Sequence, residues 1–400
     1  MRLITISDCP RRIQPVLATR MLRNSWLAAC GLIAVGFTQL EAQVDNRDRA
    51  FLQLGGSFNT GSANPAGLGF LYWNKVDWPG SGMDTSVIWA GPFLDSKLAW
   101  PGLISEKTTF GVSLGAFGGV GGLPLEYVEG KPLRNEEINA ASAYGGIFIN
   151  HEFAKFTKYE IPLNLYVGYG VSYTDYAGSD DLRRDFAVPT DPVTQNVEVK
   201  LQLGGVKPAI RDVEALDVHI RYIYGHNSNW QQFGPIFSTP YQANQNYHVL
   251  IGAMGASLPV AEGHYLGGRV TAAKGWGLDR STNFVLGGFL IRSEESTRII
   301  GHYTGEYMAD AYLLFNFDYQ FPILEWQGLA GHLYADYAIY QRNNDRANDW
   351  QDALGIGVGL SVEMPYNSTG MVAYGYGVDA ERRGGEGRHE FVVQVQVNLW

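Results

Sequence analysis

Few residues in this chain have the types and spacing that catalysis needs. Gly111-Val112-Ser113-Leu114-Gly115 matches the Gly-x-Ser-x-Gly pattern of a serine nucleophile. That pattern works only on a sharp strand-to-helix turn that exposes the hydroxyl. Here it sits inside a strand-like run with no helical pattern after it, and it reads as coincidence. Gly115 to Gly122 is glycine-rich but holds no Lys to bind a phosphate, and barrel curvature explains it better. His219 and Arg221 share one face of one strand. Asp180, Asp181, Arg183, Arg184 and Asp185 form a charged loop tip, and the eight His have no close repeated spacing. We therefore expect no enzyme, no metal and no cofactor. The residues left over are Asp318 and Asp336, two carboxylates on the polar faces of neighbouring strand patterns. Their chemistry is that of an ion pair or of a wetted, charged wall.

The elements that must carry them follow from alternation. Leu163, Leu165, Val167, Tyr169, Val171 and Tyr173 fall on one face, and Asn164, Tyr166, Gly168, Gly170 and Ser172 on the other. Successive side chains of a strand point to opposite sides, so this is a strand with one apolar and one polar or small face. The same pattern returns in 313–321, 332–339, 356–363, 372–379 and 391–399. The polar faces carry Gly, Asn, Gln, Ser, Asp and Tyr and little Lys or Glu, unlike a soluble surface. Strands of about 9–11 residues match a tilted crossing of a bilayer. In hydrocarbon every backbone polar group must be paired, so a sheet there has to close on itself. The expected fold class is all-β, a transmembrane antiparallel barrel, with a secreted sandwich or soluble barrel as the other reading.

Composition agrees. Charged residues make up 18%, aromatics 13%, and 49 of 400 residues are Gly, with a formal net charge of −10. That many aromatics argues against disorder, and the acidic balance argues against a nucleic-acid partner. Met21 to Ser25 is a short basic segment, Trp26 to Phe37 an apolar run, and Leu40-Glu41-Ala42 a small-residue cleavage site. The run is too short to span a bilayer as a helix and reads as a secretory signal peptide. Residues 1–42 are thus expected to be an upstream extension plus signal peptide, and 43–400 the barrel. Both cysteines, Cys9 and Cys30, lie in the removed part, which leaves no disulfide framework.

Strand patterns are read at 50–59, 65–74, 83–91, 94–100, 108–117, 139–151, 161–174, 195–205, 213–225, 246–258 and 263–272. After a long connection at 273–308 they resume at 309–321, 328–341, 351–364, 369–380 and 387–400. That makes sixteen, an even number as in bacterial single-chain barrels. The connections 118–138, 175–194, 226–245, 273–308 and 342–350 are the candidate extracellular loops.

The last third is more specific. Phe284-Val285-Leu286-Gly287-Gly288 opens the long connection, and Gly301-His302-Tyr303-Thr304-Gly305 follows. Then come Leu313 to Pro322, with Asn316, Asp318 and Gln320, and then Tyr334-Ala335-Asp336-Tyr337-Ala338. Gly355 to Leu360 alternates Gly, and the chain ends on Trp400. In that order the chain resembles the bacterial surface antigen family, the BamA/TamA type of outer-membrane barrel. The resemblance covers residues 246–400, and over 43–245 it rests on strand count. It departs from the family pattern in several places. The loop Arg falls on Ile300, with Arg298 and Arg292 the nearest basic residues before it. Asp318 replaces Glu, Gln320 replaces Arg, Ala338 replaces Gly, and no POTRA domains are expected before the barrel.

The resemblance implies that the long loop folds back into the lumen and that its Arg pairs with the Asp of the second strand. An Arg–carboxylate pair is bidentate and directional enough to tether such a loop. The tether candidates are Arg298, Arg292, Gly301, His302, Asp318 and Asp336, with Arg298 to Asp336 as the expected pair. Gly287 and Gly288 are the lead-in, and Trp400 is the terminal signal. The alternative is that the two carboxylates simply line a wet pore. The resemblance also implies an outer-membrane location and a role in inserting or translocating other outer-membrane or surface proteins. That role would work through a poorly paired seam between the first and last strands that templates a client strand. The partners are then the lipid bilayer and lipopolysaccharide, client outer-membrane proteins, and a periplasmic partner standing in for the POTRA domains. The other functional reading is a passive, porin-like channel for small solutes.

Overall fold

A computed structural model describes residues 48–60, 66–118, 123–124, 127–128, 131–156, 161–205, 215–236, 244–289, 297–303, 305–324, 328–342, 350–380 and 389–399. The segment 1–42, expected to be an upstream extension plus signal peptide, Arg292 and Trp400 lie outside the described residues.

Sixteen strands form the wall. They are β1 (Arg49–Asn59), β2 (Ala66–Lys75), β3 (Asp84–Ala90), β4 (Phe93–Ser105), β5 (Thr108–Phe117), β6 (Glu137–Phe156), β7 (Ile161–Gly178) and β8 (Val193–Gly204). The second half comprises β9 (Ala215–Asn227), β10 (Asn246–Ala261), β11 (His264–Trp276), β12 (Tyr307–Leu324), β13 (Leu329–Arg342), β14 (Trp350–Met364), β15 (Ser368–Gly377) and β16 (His389–Asn398). Each pairs antiparallel with the next, and β16 pairs with β1, so the sheet is closed. All sixteen expected strands are present. The expected long connection 273–308 is shorter by a few residues at each end, because β11 continues to Trp276 and β12 begins at Tyr307. Alternation continues through these residues, and they pair: His248 with Trp276, Leu286 with Tyr307.

The two faces separate as the alternation requires. Leu54 (52% exposed), Ile220, Val358 and Val393 point outward with dozens of other large apolar side chains. An exposed apolar surface of that extent is not stable in water and is solvated by lipid. Gln202, Gln394, Gln396, His332 and Ser361 point inward and are buried. Among the described residues no helix is long and apolar enough to cross a membrane; the crossing is made by strands.

The longest connections share one rim. There 60–65, 91–92, 118–136, 179–192, 228–245, 277–306, 343–349 and 378–388 join the strands; at the other rim 76–83, 106–107, 157–160, 205–214, 262–263, 325–328 and 365–367 do, and β1 starts and β16 ends there. Strand lengths vary round the barrel, from 20 residues in β6 and 18 in β7 to 11 in β1 and 10 in β16. The shortest wall strand is β3, with 7 residues, and the closing strands β1 and β16 are shorter than β6 and β7. The expectation of a poorly paired seam is corrected here. β1 and β16 are in continuous register from Phe51–Asn398 to Asn59–Glu390, and Gln53 Nε2 donates to Gln396 Oε1 across the seam on the inner face (2.8 Å). Both strands keep strict alternation and no Pro interrupts them, so nothing prevents a full ladder.

Val358→Arg places a charge in the outward apolar band near the middle of β14. It is expected to cost about 2–4 kcal/mol when folding is titrated with denaturant in phospholipid vesicles. An unchanged midpoint would mean that this face does not lie in lipid.

Candidate functional site

The connection between β11 and β12 turns back into the lumen, and two glycines make the turn. Gly287 (φ 115°) and Gly288 (φ 82°) adopt conformations that L side chains rarely reach, and a Cβ on Gly287 would run into the Tyr303 carbonyl. Gly288 then bridges to Ile299, and Gly287 N–H donates to Thr297 O (2.9 Å). The strand-like segment that follows presents Arg298 and Ile300 on one side, because alternate residues share a side.

Arg298 reaches the inner wall. Its Nη2 donates to Asp336 Oδ1 (2.8 Å) and its Nε to Asp336 Oδ2 (3.0 Å). Its Nη1 donates to Asp318 Oδ1 (3.1 Å). Asp336 is fully buried and also accepts from Ile300 N–H (2.9 Å) and Asn316 Nδ2 (2.7 Å). Asn316 Nδ2 donates to the Arg298 carbonyl as well. The guanidinium lies over the rings of Tyr334 and Phe289, 5.2 and 5.6 Å from their centroids, a cation–π arrangement, and the two rings pack edge to face on each other. Burial opposes the charge on Arg298, but Asp318 and Asp336 outweigh it and hold its pKa above the ordinary guanidinium value. One cation thus meets two carboxylates inside the barrel, and the carboxylate that is buried most deeply has the most donors.

The tip beyond Arg298 is held by shape. Gly355 and Gly357 on β14 and Gly375 and Gly377 on β15 face the lumen. A Cβ on Gly355 would strike the Ile300 carbonyl, and one on Gly357 or Gly375 the Ile300 side chain. A Cβ on Gly301 (φ 81°) would strike the Tyr376 and Gly377 backbone. The bare strands form a slot the width of a peptide. Glu390 on β16 closes it: Oε2 accepts from Gly301 N–H (2.9 Å) and Oε1 from Phe289 N–H (3.1 Å). His302 is buried, with Nδ1 2.7 Å from Tyr307 Oη.

Of the residues singled out from sequence, Arg298, Asp318, Asp336, Gly301, Gly287 and Gly288 gather here, with His302 at the edge. Arg292 and Trp400 lie outside the described residues. The register difference has a simple geometry. The position that the resemblance gave to the loop Arg is Ile300, whose side chain fills the glycine slot, and a guanidinium two residues earlier stays on the same side of the segment. Sequence reading missed Glu390, Asn316 and the slot. The signals were present: alternating glycines on the lumen faces of two adjacent strands, and one acidic residue at the head of an otherwise apolar and amide-bearing strand. Ser113 sits in the middle of β5, which continues to Phe117, and His219 Nδ1 lies 3.0 Å from Asp217 Oδ2. Among the described residues no group of three or more His, Cys, Asp or Glu is placed to hold a metal ion.

Residues 298–302 of the loop lie in the lumen against β12–β16. The β4–β10 side keeps a cavity of about 260 Å³, lined among others by Asp95, Lys97, Tyr144, Glu198 and Arg221.

No protein-family model matches the sequence, and no curated protein does. Solved structures do resemble the fold. A BamA from Haemophilus ducreyi lacking POTRA domains 1–3 superposes with a TM-score of 0.56 at 8% identity, over 88% of this chain and 70% of that one. CdiB from Acinetobacter baumannii and CdiB from Escherichia coli each give 0.56 at 11% identity over 88% of this chain. The chain spans 60% and 63% of those two proteins. At these identities the likeness is one of fold, a closed sixteen-stranded barrel of the kind found in BamA and CdiB.

Asp336→Ala leaves Arg298 buried with only the partly exposed Asp318. Removing one partner of a buried pair costs about 3–5 kcal/mol. The expected result is a lower temperature of heat-modified gel mobility and a higher single-channel conductance as the loop leaves the lumen; no change in either means that the pair does not tether the loop. Gly355→Val tests the slot without altering charge. It should displace the tip and raise conductance as well, whereas wild-type conductance in a folded variant would mean that the slot does not seat the loop.

Proposed function

We propose that the protein is an outer-membrane barrel of the BamA/TamA type that assists the insertion or translocation of other outer-membrane or surface proteins. The observation that carries this reading is the inward loop pinned by Arg298 to Asp336 beside the β1–β16 closure. Within the connection 277–306, Arg298 to Gly301 are seated against the barrel's own wall by a buried ion pair, a second carboxylate and a glycine slot. The fold likeness to BamA and CdiB supports the same reading. The long-loop rim faces outward from the cell, and the short-turn rim faces the periplasm, as in bacterial barrels generally. No cofactor takes part. An edge freed at the closure would pair its backbone with a client strand, since an unpaired edge in hydrocarbon is satisfied only by another strand.

A second reading rests on the cavity along β4–β10. It is lined by both acids and bases, with Asp279 to Thr282 of the loop on one side, which suits a narrow, passive path for small solutes.

Depleting the protein in its host and scoring folded outer-membrane proteins by heat-modifiable mobility separates the two. Loss of a defined set of other barrels or surface proteins is expected. An intact set, together with steady conductance of the purified barrel, would replace the insertion reading with the channel.

A further inference from the structure

We propose that the inward loop is a latch on the barrel's closure, so that the Arg298 anchor and the long-loop end of the β1–β16 seam open together. The segment 298–303 touches six consecutive strands. Arg298 binds Asp318 on β12 and Asp336 on β13. Ile300 lies in the slot between β14 and β15, and Gly301 N–H donates to Glu390 on β16. The segment then crosses the seam. Asn59 Nδ2 on β1 donates to His302 O (3.2 Å), and Tyr303 Oη donates to Thr60 O (3.4 Å).

The place of the crossing matters. Asn59 and Glu390 are register partners, the last pair of the seam at the long-loop rim. The end of a ladder is where a sheet frays first, and both side chains of that terminal pair hold the same loop tip. The seam is also built from short strands, 11 and 10 residues, so its own ladder is small beside the β6–β7 pair. A rigid chord from β12 across to β1 supplies contacts that the ladder lacks. Parting β16 from β1 would pull Glu390 off Gly301 and Phe289, or Asn59 off His302. Conversely, release of Arg298 frees the tip that spans both strands. The latch gives the proposed insertion role its control point, but the mechanical coupling does not depend on what an opening would be used for.

Hydrogen exchange read by mass spectrometry on the full barrel in phospholipid nanodiscs tests it. Arg298→Ala removes the anchor that lies farthest from the seam. Amides of 55–59 and 390–394 are expected to exchange at least tenfold faster, with those of 161–178 unchanged. Asn59→Ala removes the β1 contact alone. It should speed the same seam amides and also those of Ile300 and Gly301. Heat-modifiable mobility confirms that each variant is folded. Wild-type seam exchange in a folded Arg298→Ala barrel whose loop amides exchange freely overturns the latch, as does an equal acceleration in every strand. If Arg298→Ala does not fold, Asn59→Ala decides: seam acceleration without acceleration at Ile300 and Gly301 rejects the coupling. An intact proteome on depletion rejects the insertion role and leaves these exchange results standing, so the two failures are distinguishable.

Discussion

Hydrocarbon offers no hydrogen-bond partner to a peptide group, and that constraint shapes every part of this molecule. An unpaired backbone group in the bilayer costs several kcal/mol, so the last strand has to find the first. The register from Phe51–Asn398 to Asn59–Glu390 is the solution. Closure fixes which side chains look inward, and it creates an interior that the wall alone does not fill.

That interior is divided. On one side a loop occupies it, and the device that holds the loop is electrostatic at one end and steric at the other. Arg298 loses its water but gains Asp336, Asp318 and two aromatic faces. Asp336 loses its water but gains a guanidinium, an amide and a backbone N–H. Each group is paired in several directions, which is the condition under which a buried ion pair is tolerated. Ile300 and Gly301 need no charge, because four glycines on β14 and β15 leave room for a peptide against the wall. On the other side, along β4–β10, polar and charged side chains together with Asp279 to Thr282 of the same loop line a cavity of about 260 Å³.

Most of the wall is legible in the sequence. Alternation has a period of two that local residues set by themselves, so sixteen strands follow from it, with errors of a few residues at their ends. The errors concentrate where alternation continues into what looks like loop, as at Trp276 and Tyr307. The same parity places Asp318 and Asp336 on the lumen side. Arg298 is only a candidate beside Arg292 at that level, because a loop has no period to say which way its side chains point. Glu390 looks like one more polar lumen residue. The glycines of β14 and β15 look like a motif without a purpose, since a glycine slot has meaning only when something lies in it. The strength of the seam is hidden for a related reason: pairing between Phe51 and Asn398 is a property of two segments at opposite ends of the chain.

The sequence by itself determined the all-β class, the strand number, the inward and outward faces and the length of the loop, because these follow from local alternation and from the length of chain between turns. Only the tertiary structure decided that the loop tip lies across β12 to β1, that Ile300 fills the slot while Arg298 takes the carboxylates, and that Asn59 and Glu390 hold one tip from both sides of the closure. Those contacts join residues as far apart in the chain as Asn59 and His302, 243 positions. They exist only because closing the sheet brings its ends together, and no local pattern encodes which distant groups will then be neighbours.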